Sequence, residues 1–251
     1  MKQFAVVGLD NFGRRVVDEL LDADCEILII DKNEEVINLY KDRVTSALIA
    51  DVLNESTIRK IIPKTIDAVV IDLGDNVEAS ILVTNYLKKM GVQTIIVKAE
   101  SNEHAEILEL VGASRVVFPN KEAAKRITPL LLSSLIFSYL PISEDFIIAE
   151  VKVPERYAGK TLLEINLRKM FGLNVIAFRK DDSQTYTLFT PEHTLLRDEI
   201  FLIGGREEDI IQFAEVPLPE TKKGIKGIFK KFFSRFSKTE TQAKPNGTQG
   251  A

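Results

Sequence analysis

Residues 3–31 read QFAVVGLDNFGRRVVDELLDADCEILIID, and the order of residue types in this stretch decides the fold. A short apolar run from Phe4 to Val7 meets Gly8, Gly13 follows, and Arg14 to Leu21 carries apolar residues at helical spacing. That order predicts strand, tight turn, helix. A second apolar run, Ile27 to Ile30, ends in Asp31, where a dinucleotide-binding unit places its ribose-binding acid. The chemistry is specific: glycine lets the backbone turn into the helix, free amides at the helix start attract phosphate, and the acid accepts from ribose hydroxyls. The middle position of the glycine fingerprint is Asp10, where glycine would let the backbone approach a pyrophosphate. An anionic side chain there repels phosphate, so taken alone these residues favour a strand-turn-helix corner that binds nothing.

The 251 residues, 45% of them apolar, suffice for two modest domains with full cores. A single cysteine, Cys25, excludes an internal disulfide framework and reads as a plain buried thiol. Met1 leads almost at once into a core strand, and no apolar run reaches membrane-spanning length, so we expect a soluble, cytoplasmic protein without a signal peptide. The net charge of -4 hides a split: from Thr221 onward there are eight basic residues and one acidic, which leaves 25 basic and 36 acidic before it. An acidic body argues against nucleic acid as a partner.

Beyond Asp31, helix and strand alternate: helix Glu34 to Lys41, strand Ser46 to Ile49, a helix capped by Asn54 and stopped before Pro63, and strand Ala68 to Ile71. After DLGDN come helix Val77 to Lys89, strand Thr94 to Val97, helix Asn102 to Leu110 and strand Arg115 to Phe118. Short apolar strands joined by helices predict a Rossmann-like, doubly wound parallel sheet over residues 1–119. Glu122 to Tyr139 then reads as one long apolar helix containing Pro129, a crossover or dimerisation element within a linker over residues 120–143; burial between two domains is the other reading.

From Phe146 the period changes to that of strands, with FIIAEVKVP, LNVIAFRK, TYTLFTP and EIFLIGG as four of them. A turn plus helix closed by Gly172 and a short helix Glu207 to Phe213 complete a small α+β domain over residues 144–217. In the remainder, 218–251, Ile225, Ile228, Phe229, Phe232, Phe233 and Phe236 share one helical face, with Lys226, Lys230, Lys231 and Arg235 on the rest. A basic amphipathic helix of this kind suits an anionic membrane surface, at about 1 kcal/mol per basic residue. Docking on a protein partner is the alternative, and the polar end from Thr239 is expected to be disordered.

Taken in order, FAVVGLDNFG, ILIIDKNEEVIN, IADV, DAVVIDLGDN, TIIVKAES, LELVGASRVVFP, AGKTLLEINLRKMFGLNVIAFRK and DEIFLIGG resemble the RCK family, the regulators of potassium conductance, and within it the cytoplasmic regulatory subunits of the TrkA and KtrA type. The resemblance covers residues 1 to about 215. It implies a nucleotide-binding RCK-N domain followed by RCK-C, dimers assembled into an octameric ring, and docking on a potassium-translocating membrane subunit at the inner face of the cell membrane. It further implies nucleotide binding by Gly8, Asp10, Asn11, Phe12 and Gly13 in the turn, Asp31 and Lys32 after the second strand, Asp51 and Val52 after the third, and Lys98 facing the phosphates.

In the C-terminal domain the resemblance places a cyclic di-AMP site at a dimer interface, from Arg168 through Asn174, Val175 and Ile176, with Pro191 in the facing strand. Three departures from the family pattern matter: Asp10-Asn11 stands for Gly-Arg, and Asn120 stands where a glutamate assists a divalent cation. Together they predict weak ATP binding, with ADP, AMP or NAD(H) as the less demanding ligands.

The two histidines, His104 and His193, are far apart in sequence and are expected at the surface, and no metal motif or Ser-His-Asp order is visible. The sequence thus reads as a non-enzymatic gating subunit. An NAD-dependent oxidoreductase and a ligand-blind structural partner of a second RCK chain are the alternatives.

Overall fold

A computed structural model describes residues 1–214, which fall into two units divided after Glu122. In the first, β1 (Lys2–Val7), β2 (Cys25–Asp31), β3 (Ser46–Ile49), β4 (Ala68–Ile71), β5 (Ile95–Lys98) and β6 (Arg115–Val117) form one sheet in the order β3-β2-β1-β4-β5-β6. All five pairings are parallel. Side chains alternate between the two faces, and both faces are covered, which is why the strands read as unbroken apolar runs. Ala5, Val7, Leu28, Ile30, Val69 and Ile71 pack with Ile58, Leu87 and Leu108, from the helices α3 (Glu55–Ile61), α4 (Val77–Lys89) and α5 (Asn102–Val111). Val6, Ile27, Ile29 and Val70 turn the other way, onto Val17, Ile37 and Tyr40 of α1 (Asn11–Leu20) and α2 (Glu34–Tyr40). The parallel doubly wound sheet expected from the sequence is the one observed.

Four of these helices begin where a short polar side chain accepts from the first free amides: Asn33 for α2, Asn54 for α3, Asn76 for α4 and Ser101 for α5. Each cap contributes about 1 kcal/mol and fixes where its helix starts relative to the preceding strand end.

The second unit contains the antiparallel sheet β7-β8-β10-β9, from β7 (Ile136–Pro141), β8 (Ile147–Lys152), β9 (Asn174–Lys180) and β10 (Glu199–Gly205). The helices α7 (Leu162–Ile165), α8 (Leu167–Phe171) and α9 (Glu207–Phe213) join its core, in which Tyr157 stacks on Phe213 at 5.6 Å and Phe171 meets Phe213 edge-on. The small α+β domain is thus present. Asn166, at φ 48, separates α7 from α8 within the stretch expected as one helix.

Two sequence expectations fail here. The long helix Glu122 to Tyr139 does not exist: α6 (Pro119–Leu132) stops, and Ile136 onward is β7. Ile136 and Tyr139 are both buried, three residues apart, because the β7–β8 register shifts between Ile136 and Ser138. A bulge inserts one residue and turns strand spacing into helical spacing. The segment TYTLFTP is no strand either. Beyond an isolated bridge between Phe178 and Thr187 it is held by side chains, with the Tyr186 hydroxyl donating to Glu150, which also accepts from Arg179 at 2.6 Å. The basic tail expected to form an amphipathic helix lies outside the described residues. No helix among the described residues is long and apolar enough to cross a membrane.

Candidate functional site

The strand order reverses between β1 and β4, and the turns after these two strands press together at the carboxyl edge of the sheet. Gly8 has φ +84, and a Cβ there would sit 2.0 Å from the Asp72 carbonyl oxygen; one on Gly13 would sit 2.4 Å from the Gly8 carbonyl. Both glycines are therefore required by backbone packing before any ligand is considered. Asp72 is 1% exposed, and its Oδ2 accepts from the Gly13 amide at 2.8 Å. That bond ties the start of α1 to the end of β4.

Asp31 does a similar job on the other side. Its Oδ2 accepts from the Leu9 amide at 2.6 Å and its Oδ1 from the Asn33 amide at 2.8 Å, so the carboxylate holds the glycine turn against the β2 end. Asp10 occupies the N-cap position of α1 but makes no side-chain cap bond. Its Oδ2 instead lies 3.5 Å from the Lys98 ammonium.

Lys98 leaves the end of β5 and meets Glu100 at 2.9 Å, Asp72 at 3.3 Å and Asp10 at 3.5 Å. Burial alone would depress its pKa; Glu100 and Asp72 outweigh it and hold the ammonium well above the ordinary lysine value. Three carboxylates thus surround one cation, so the charge balance at this edge of the sheet is negative. The Gly13 amide is taken by Asp72, which leaves the Asn11 and Phe12 amides, without a hydrogen bond among the described residues, to meet an anion.

Lys32 and Asp51 are exposed after β2 and β3, Asp51 accepting from the Leu53 amide at 3.0 Å, while Val52 is buried. The nucleotide-site residues expected in the first unit therefore share one edge of the sheet, at the ends of β2 and β5, in the turns after β1, β2 and β3, and at the start of α1. Sequence reasoning missed Asp72, His104 and Glu100. An acid directly after β4, at the edge where the other turns gather, was the available signal for Asp72.

Family models match this chain as a TrkA-N domain over residues 4–119 and a TrkA-C domain over residues 147–217. Among characterised relatives, Ktr system potassium uptake protein C of Bacillus subtilis is 32% identical over 212 residues, 84% of this chain and 96% of that protein. The chain belongs to the RCK family, KtrA type. Ktr system potassium uptake protein A of the same organism is 30% identical, with 84% and 95% covered. The RCK fold is repeated in the GsuK channel bound to NAD, at TM-score 0.61 and 16% identity, over 100% of this chain and 48% of that one. This RCK chain spans about half the length of the GsuK chain.

In the RCK-C unit, Arg168 is exposed on α8, Asn174 and Ile176 are exposed on β9, Val175 is half-buried, and β9 is an edge strand whose outer side meets Thr187 at Phe178. Pro191 lies in a loop and not in a facing strand, because TYTLFTP, which it ends, forms no strand; the Pro191 carbonyl accepts from the Leu163 amide at 3.0 Å. Neither histidine is a free surface side chain: His193 is half-buried and His104 buried. His193 stacks on Phe178 at 4.3 Å, with Nε2 2.9 Å from the buried Glu199 carboxylate. In RCK-N, His104 is 4% exposed and bonded to Ser80 at 2.7 Å. Its Nδ1 accepts from the Glu100 amide, so the neutral ring carries its proton on Nε2 and donates to Ser80 Oγ, which donates onward to the Val77 carbonyl. A base must accept the proton of its nucleophile, so this pair cannot activate the serine.

Proposed function

We propose that this chain is the ligand-sensing, non-enzymatic gating subunit of a potassium uptake system, cytoplasmic and peripheral to the inner face of the cell membrane. The switch-point cleft carries the reading: a ribose-competent acid at the β2 end, two free amides at the α1 start, and a lysine hemmed in by acids. Such a cleft accepts an adenine nucleotide through its ribose and base, and it penalises each phosphate charge. NAD(H), with two diphosphate charges, and ADP or AMP rank ahead of ATP. Dimers assembled into an octameric ring would pass the closure of this cleft to the potassium-translocating subunit, and the ligand shifts the gate only by its differential affinity for the two ring shapes.

The β9 edge, with Arg168, Asn174, Val175 and Ile176, and Pro191 in its loop, is the proposed site for cyclic di-AMP between two RCK-C units. An edge strand is open to pairing with a second copy, and Arg168 supplies the cation for a phosphate.

A titration panel tests the cleft. Purified protein with NAD, ADP, AMP and magnesium-ATP should show stabilisation by the first three at concentrations where magnesium-ATP gives little. Tighter binding of magnesium-ATP than of ADP would overturn the ranking.

The sequence of the basic tail supports contact with anionic lipid beside the channel. Removing residues 222–251 should lower recovery of the protein with anionic vesicles severalfold, and to the same degree as raising the salt does for the full chain. Unchanged recovery would assign the tail to a protein partner instead.

A further inference from the structure

His104 sits one step behind the cleft. Its Nδ1 receives the Glu100 amide at 3.3 Å, its Nε2 is anchored on Ser80 of α4, and the Glu100 side chain reaches Lys98 at 2.9 Å, the shortest of that lysine's ion pairs. The ring therefore braces the turn that places Glu100, and Glu100 is the main restraint on Lys98. Adding a proton to Nδ1 would set an N–H against the Glu100 N–H, two donors face to face, and would give the Glu100 carboxylate a second cation to serve. We infer that His104 is a positioning residue of the nucleotide cleft, whose protonation loosens the Glu100 turn and releases Lys98 toward the ligand's phosphates.

The surroundings of the ring support this. Ser80 presents a hydroxyl from α4, and Glu100, in the turn between β5 and α5, is the charged group whose field reaches the imidazole. On its own helix, Glu103 is held by its backbone and by Ser101. Burial keeps the imidazole below its ordinary pKa, against the pull of Glu100, so the ring is neutral at pH 7 and charges only in acid. The direction of coupling follows: acid adds positive charge behind the cleft and frees its lysine, so an anionic ligand binds more tightly.

The inference rests on the cleft being a nucleotide site, and the two arms of the test separate the claims. Without ligand, NMR of isotopically labelled protein should show His104 as the Nε2–H tautomer, with the Glu100 amide signal following its titration. In His104→Asn, whose side-chain oxygen replaces Nδ1 without titrating, the Glu100 signal should stay flat. A Glu100 amide that ignores His104 in the unaltered protein, or that titrates equally in the variant, overturns the inference.

With NAD as probe, whose diphosphate keeps its charge over this range, affinity should rise about fivefold from pH 8 to the acid side of the His104 titration followed by NMR, in the unaltered protein and not in His104→Asn. Should that variant not fold, Glu100→Gln removes the closest of the three carboxylates on Lys98, leaving Asp72 and Asp10, and should bind NAD at pH 8 as tightly as the unaltered protein does in acid. Failure of NAD to bind at any pH removes the nucleotide reading and the release toward a ligand with it, while the Glu100 amide still decides whether His104 governs the turn.

Discussion

Gly8→Ala is expected to cost about 3 to 5 kcal/mol of folding stability, most of what a domain of this size holds in reserve. Positive φ alone costs an L-residue about 1 kcal/mol. The larger part comes from the new Cβ, which would lie 2.0 Å from the Asp72 carbonyl oxygen and 2.7 Å from its carbon. These atoms belong to backbone that cannot swing aside, because the Asp72 amide donates to the Val7 carbonyl at 2.9 Å and the Asp72 carboxylate holds Gly13. Relief therefore means parting β1 from β4 at the centre of the sheet. Gly91→Ala is the internal control: its φ is +87, yet nothing lies within 4 Å of the added carbon. Urea unfolding should place Gly91→Ala about 1 kcal/mol below the unaltered protein and Gly8→Ala far lower. Equal losses for the two would mean that the close approach of the turns contributes nothing.

The same contrast explains what could be read from residues alone. The parallel half was legible because its strands are covered on both faces and most of its helices begin at polar caps, so Asn33, Asn54, Asn76 and Ser101 punctuate the chain at four of its five crossovers. The antiparallel half was harder because its irregularities imitate other structures. The bulge after Ile136 produces helical spacing in a strand, and Tyr186 holds its loop by a side-chain bond to Glu150, which leaves no periodic trace.

In the cleft, the glycines and Asp31 were visible through their spacing, whereas the partners of Lys98 come from three separate turns. Asp10, Asp72 and Glu100 converge only after folding. His104 carries a misleading signal as well, since a histidine in the first turn of a helix after a serine cap reads as solvated. Here α4 packs over it, and Ser80 with the Glu100 amide satisfies both ring nitrogens.

Asp10→Gly should tighten ADP binding about tenfold and magnesium-ATP binding by more, with NAD gaining least. Asp10 stands at the start of α1, where the Asn11 and Phe12 amides await an anion, so its carboxylate opposes any phosphate placed there. Two unit charges about 5 Å apart interact by roughly 1 to 3 kcal/mol at a partly solvated site. The Asp10 side chain is 44% exposed, which screens it toward the lower end, about 1.4 kcal/mol or one factor of ten. The substitution also removes one of the three carboxylates on Lys98, leaving that ammonium freer to turn to phosphate. Little is lost in the fold, since the Asp10 side chain makes no cap bond to α1. Calorimetric titration of both proteins, with Asp10→Asn as an uncharged variant of similar size, separates charge from bulk: Asn should recover most of the gain if repulsion dominates, and little if the side chain merely blocks the backbone. An ADP affinity unmoved by either substitution would place the phosphates away from the α1 start and end the electrostatic account of this cleft.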